Sequence, residues 1–217
     1  SGAVYVFKKE GTSWVQKQKL LASDGKAWDS FGNSVAVRDN YLIVGAAHNY
    51  GTGKDSLGSA YIFKLEGDTW TQKAKLLSSD LVAGDYLGTS VSISDKYAVV
   101  GASGKNITGA SSGAVYIYEK PADEWNDMTE SKRIIPNDGQ AGDGFGHSTD
   151  VSGNYVITST PFDDDKGDNA GAAYIYNLGG NATSSTPTTA SCADPDVKDG
   201  LMLHLKLDEQ SGTSVKD

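Results

Sequence analysis

Apolar and polar positions alternate along most of this chain in short runs punctuated by Gly, Asn and Asp. The stretch from Asp29 to Phe63, DSFGNSVAVRDNYLIVGAAHNYGTGKDSLGSAYIF, shows the pattern most fully. It predicts strand one at 33–38 (NSVAVR), a turn at Asp39-Asn40 and strand two at 41–46 (YLIVGA). A polar, Gly-rich loop follows, then strand three at 59–64 (SAYIFK), a turn at Glu66-Gly67-Asp68 and strand four at 70–76 (WTQKAKL). Asp, Asn and Gly tolerate the positive φ of tight hairpin turns, so the strands are antiparallel. On strand three Tyr61 and Phe63 share one face and Ala60 and Ile62 the other, because successive side chains alternate. Both faces are apolar and both need cover. Strand four mixes Trp and Leu with Lys and Gln, which marks it as an outer edge, since lysines discourage edge-to-edge pairing.

The same unit recurs. Its core returns as DYLGTSVSISDKYAVVGASG at 85–104 and DGFGHSTDVSGNYVITSTPF at 143–162. Its closing strand appears four times, with Gly2, Gly58, Gly113 and Gly171 spaced by 56, 55 and 58 residues, and Trp14, Trp70 and Trp125 keep the same beat. A period of this length means one supersecondary unit repeated. Four-stranded antiparallel sheets with two apolar faces and a polar outer edge fit the blades of a β-propeller; an open solenoid of stacked sheets is the alternative. The fold class expected is all-β, a partial propeller with two full blades (32–77 and 88–135) and two partial ones (1–21 and 146–177). The Trp125 copy needs nine residues to reach Ile134 where the others need six, which predicts a bulge or insertion.

The runs Phe31–Ser34, Leu87–Ser90 and Phe145–Ser148, each (F/L)GxS, followed by VGA at 44–46 and 100–102, resemble the FG-GAP repeat. That resemblance covers roughly residues 1–178 and implies propeller blades related to the integrin α-chain head. Residues 179–198 are rich in Ser, Thr and Pro and are expected to form a linker. At 199–217 Leu201, Leu203, Leu205 and Leu207 alternate with Met202, His204 and Lys206, one half-buried strand. That run resembles the opening strand of laminin-G-like, concanavalin-type domains, which implies a second, lectin-like domain cut off at Asp217.

Composition narrows the class. The 217 residues carry a net charge of −9, with 19 Lys and Arg spread over turns and edges, which argues against nucleic acid as partner. No 18-residue apolar run is present to span a membrane. The chain opens inside a repeat with no signal peptide, and is expected to be a fragment. Cys192 is the single cysteine, either paired outside the fragment or an unpaired thiol.

The candidate chemistry is sparse. The calcium loop of integrin-type units would fall between strands one and two, but the two-residue turns there cannot supply six to eight oxygen ligands. One loop, at 163–169, clusters Asp163, Asp165 and Asp168 beside Gly167; these are the candidate ligands for Ca²⁺, against the alternative of a solvated polar turn. Three acid pairs, Asp24/Asp29, Asp80/Asp85 and Asp138/Asp143, precede each (F/L)G step. Their expected task is to accept backbone N–H bonds and hold the inter-blade loop. The tryptophans are expected to pack against neighbouring blades rather than stack on sugars. GASSG at 109–113 has nucleophile-elbow spelling but precedes a strand, and His147, Ser148 and Asp150 alternate faces of one strand, so no catalytic set is expected. The functional expectation is therefore a non-catalytic extracellular or cell-surface scaffold for adhesion or recognition, taking a protein or carbohydrate ligand on its loops. The alternative is an accessory binding module of a secreted polysaccharide-degrading enzyme. Both rest on fold analogy.

Overall fold

The computed structural model describes residues 2–48 and 57–179, together with the backbone of Leu201–Lys206. Among these residues every regular element is a strand, and the strands form four sheets in chain order. The first sheet has two strands, β1 (Val4–Glu10) and β2 (Ser13–Leu20). The second carries β3 (Val35–Arg38), β4 (Tyr41–Ala46), β5 (Ser59–Glu66) and β6 (Thr69–Leu77) in antiparallel sequence order. The third carries β7 (Val91–Ile93), β8 (Tyr97–Ala102), β9 (Ala114–Glu119) and, after β10 (Met128–Thr129), β11 (Lys132–Ile134). The fourth carries β12 (Thr149–Ser152), β13 (Tyr155–Thr160), β14 (Ala172–Asn177) and β15 (Leu201–Lys206).

The two-faced strands feed two different cores. On β5, Tyr61 and Phe63 enter the core shared with the first sheet, while Ala60 and Ile62 enter the core shared with the third. On β9, Tyr116 and Tyr118 face back to the second sheet and Val115 and Ile117 face forward to the fourth. The second and third sheets are thus layers between two hydrophobic seams, at about 1.5–3 kcal/mol per large side chain fully buried.

The glycines set how closely the sheets approach. A Cβ built on Gly45 would lie 2.2 Å from the carbonyl oxygen of Gly88, and one on Gly101 would lie 1.9 Å from that of Gly146. The (F/L)G glycine of one blade therefore sits against the VGA glycine of the blade before it. The serine of the motif fastens the contact: Ser34 Oγ donates to Gly88 O and Ser90 Oγ to Gly146 O, each at 2.8 Å. Gly58 and Gly113 make parallel bridges to Leu87 and Phe145 in the same seam.

Two features depart from the expected layout. The extra residues near Trp125 leave the third sheet altogether: β10 pairs in parallel with β6, adding a fifth strand to the second sheet, before β11 returns to pair with β9. Trp125 is buried at 3% exposure, whereas Trp14, in the first of the described sheets, is 68% exposed. The tail is the second departure, and it lends no support to the expectation of a laminin-G-like domain. Leu201–Lys206 pairs antiparallel with β14 as the fourth strand of the last sheet, where the backbone groups of β14 would otherwise lack a partner on that side. The linker at 179–198 lies outside the described residues apart from Gly179.

Candidate functional site

The three acid pairs converge on one construction, repeated between successive blades. The first acid of each pair accepts a hydrogen bond from a tyrosine in strand three. Tyr61 donates to Asp24 at 2.8 Å, Tyr116 to Asp80 at 2.8 Å and Tyr174 to Asp138 at 2.9 Å. The second acid folds back on its own loop. Asp29 accepts from Lys26 N at 2.6 Å, Asp85 from Val82 N and Asp143 from Gln140 N, both at 2.7 Å. Its carbonyl caps the end of strand two, accepting from His48 N, Gly104 N and Phe162 N respectively. All three second acids are buried. The loop-holding task read from the sequence is what these bonds perform, and the regular separation of Asp and Tyr, 37, 36 and 36 residues, was the signal that would have found the tyrosines.

The loop bends because it uses left-handed residues at fixed places. Ser30 and Tyr86 share φ 57° where the last copy has Gly144, and Trp28 takes φ 72° where the other copies have Gly84 and Gly142. Trp28 and Tyr86 are thus bulky residues in places that glycine fills in another copy, Trp28 where both other copies have glycine.

Electrostatics separates the copies. In the middle one the ammonium of Lys105, itself only 4% exposed, sits 2.8 Å from Asp85 Oδ2 and 3.4 Å from Asp80 Oδ2 and donates to Asp80 O. Arg133 also pairs with Asp80. Burial works against ionising Asp80, but hydrogen bonds from Ser78 and Tyr116 and the charges of Lys105 and Arg133 outweigh it and hold its pKa at about 2. In the first copy Lys75 pairs with Asp24 at 2.6 Å. In the last copy the position of Lys105 is taken by Asp163, as matching backbone bonds show: Lys105 N donates to Ala102 O and its carbonyl accepts from Gly113 N, while Asp163 N donates to Thr160 O and its carbonyl accepts from Gly171 N.

The candidate calcium ligands fall unevenly. Asp163 is buried, with Oδ2 3.4 Å from the Tyr174 hydroxyl and Oδ1 accepting from Asp165 N at 3.2 Å. Asp165 lies at the surface beside Gln140 Nε2, at 3.4 Å, and Asp168 is exposed. Among the described residues no three His, Cys, Asp or Glu side chains form a ready-made metal cage. The catalytic lookalikes stay apart: Ser111 stands in a turn that leads into β9, and Asp150 accepts from Ser92 Oγ at 2.6 Å instead of meeting His147 or Ser148.

A second inter-blade latch was not foreseen. Glu124, from the segment before β10, accepts from the Tyr41 hydroxyl at 2.8 Å and pairs with Lys64. Lys120 lies 4.3 Å over the Tyr41 ring.

Comparison with known proteins places this geometry. The FG-GAP repeat model matches residues 14–63, 70–118 and 128–176. No curated protein matches. Among solved structures the chain is similar to that of Pseudomonas aeruginosa periplasmic gluconolactonase, PpgL, with a TM-score of 0.47 and 14% identity over 80% of this chain and 45% of that one. The chain thus spans less than half the length of that structure. The comparisons give no support to the expectation of a non-catalytic adhesion scaffold or accessory binding module, and it is withdrawn. At this TM-score and identity no lactonase chemistry passes from it to these residues.

Proposed function

The chain belongs to the FG-GAP repeat family, and from that premise we propose that it is an arc of a β-propeller whose immediate task is to receive a further inner hairpin of the same repeat on its first sheet. One observation carries this reading. Val35 and Val37 on β3 are 53% and 66% exposed, whereas their counterparts on β7, Val91 and Ile93, are 6% and 4% exposed beneath β3 and β4. The first sheet consists of strands three and four alone, so the hairpin that would cover β3 is the one component missing from that layer. Each valine gains about 1.5–3 kcal/mol on full burial, which gives the docking a hydrophobic driving force. The occupant is a strand-one and strand-two hairpin, because β3–β4 and β7–β8 fill that place in the neighbouring layers.

A second copy of residues 22–56 fused ahead of Ser1 tests this in register. Completion of the first sheet should raise the melting temperature and protect the added residues from proteolysis. If the added segment stays cleavable and the melting temperature does not move, the reading is wrong. The extracytoplasmic setting implied by the repeat family belongs to the same proposal. Cell fractionation with an antibody to the blades tests it, and recovery in the cytosolic fraction would count against it.

A further inference from the structure

The seams between sheets are built from the same two halves. The following sheet presents an aromatic pair from its third strand, and the preceding sheet presents aliphatic residues. Tyr61 and Phe63 close on Val4 and Val6, Tyr116 and Tyr118 on Ile43 and Ile62, and Tyr174 and Tyr176 on Val99 and Ile117. The aromatic half stands exposed on the first sheet. Tyr5 pairs with Lys19 and Phe7 with Gln16, as Tyr61 pairs with Lys75 and Phe63 with Gln72, and a bulge falls at the same step. Val4 and Val6 point into the seam with the second sheet, so Tyr5 and Phe7 lie on the opposite, outer face. Phe7 is 52% exposed where Phe63 is 3%. The aliphatic half stands exposed on the fourth sheet. Ile157 pairs with Ile175 as Val99 pairs with Ile117. Val156, Tyr174 and Tyr176 fill the seam with the third sheet, so Tyr155, Ile157 and Ile175 lie on the outer face. Ile157 is 41% exposed where Val99 is 0%.

The two exposed faces are thus complementary halves of one seam, carried on one molecule. Charge selects the same pairing. Residues 1–21 carry four lysines and one glutamate, a net +3, and residues 136–178 carry seven aspartates and one lysine, a net −6. Contact between two first sheets, or between two fourth sheets, sets like charge against like, whereas first against fourth brings opposite charges together. We propose that copies of this chain associate head to tail, the fourth sheet of one copy packing on the first sheet of the next. Tyr5 and Phe7 then lie over Ile157 and Ile175, as Tyr116 and Tyr118 lie over Ile43 and Ile62. The occupant is a second copy because each face is the counterpart of the other in residue type, in strand position and in charge. The contact is heterologous, so each joined copy keeps one unused half, and the assembly closes into a ring or extends according to the rotation between copies. It uses the outer face of the first sheet, whereas the hairpin proposed above adds to the edge of β1 that is open among the described residues, so either reading can fail alone.

Sedimentation equilibrium on the full chain should show a mass that rises above 22.8 kDa as concentration increases. Phe7→Asp removes the aromatic half and Ile157→Asp the aliphatic half. Both residues are exposed, so each variant should keep the wild-type circular dichroism spectrum and melting profile in dilute solution. Each alone should associate about tenfold or more weakly, as expected when a central apolar contact becomes a charge. Mixed in equal amounts, the two should recover a one-to-one dimer, since each retains the half that the other has lost. Both substitutions carry the same charge, so the damaged halves cannot rescue each other. Tyr5→Asp and Tyr155→Asp repeat the experiment if either variant misfolds. A wild type that stays at 22.8 kDa at every concentration overturns the proposal and gives the two faces to a different occupant, such as a further repeat in the same chain. Association that survives both substitutions unchanged overturns it as well, as do folded variants that fail to pair when mixed.

Discussion

Replacing Gly101 by alanine isolates the contact that joins one blade to the next. Gly101 is not in a left-handed conformation, so alanine in open space would be tolerated and would stabilise the chain by about 0.4–1 kcal/mol through the unfolded state. The structure reverses that sign. The new Cβ would meet the backbone carbonyl oxygen of Gly146 at 1.9 Å and Ser90 Oγ at 2.4 Å. Backbone cannot rotate away as a side chain can, so the third and fourth sheets must separate along their seam. Overpacking of this kind costs about 1–3 kcal/mol and more where backbone has to move, so we expect a loss of about 3 kcal/mol. For a chain of this size that is a fall of roughly 6–12 °C in melting temperature. Urea titration followed by tryptophan fluorescence reads the same loss, since Trp125 is buried in the neighbouring seam. The corresponding position in the last blade is Ser159, which already carries a Cβ, so Ser159→Gly should cost no more than about 1 kcal/mol. An unchanged or raised melting temperature for Gly101→Ala would refute the clamp.

Lys105→Met strands the buried Asp85 carboxylate without its cation and should cost about 3–5 kcal/mol by urea denaturation, with partial recovery in Lys105→Met/Asp85→Asn. Asp80 is held at a pKa of about 2 in the folded chain, below its ordinary 3.8, so its contribution is present above pH 4 and disappears as pH falls toward 2. Acid unfolding should steepen in that window, and Asp80→Asn should flatten it. Trp28→Gly removes a bulky residue from a left-handed position that glycine fills in both other copies, and should raise stability by about 1 kcal/mol in thermal melts. Ser90→Ala leaves Gly146 O without its side-chain donor in a buried seam and should cost about 1–2 kcal/mol by the same measurement.

The sequence determined the blade by itself. Alternation with a period of two, tight Asp, Asn and Gly turns and a period near 56 residues fixed the strands of the second sheet to within two residues at each end, because these signals are local and repeat three times. The loop-holding acids were legible for the same reason, as was the irregularity near Trp125. Only the tertiary structure decided which copies of a residue meet. The pairing of Gly45 with Gly88 and of Gly101 with Gly146 joins residues of different units, and no spacing within one unit announces it. The parallel pairing of β10 with β6, the exposure of Val35 and Val37 and the capture of Leu201–Lys206 by β14 all depend on which neighbour lies beside a strand.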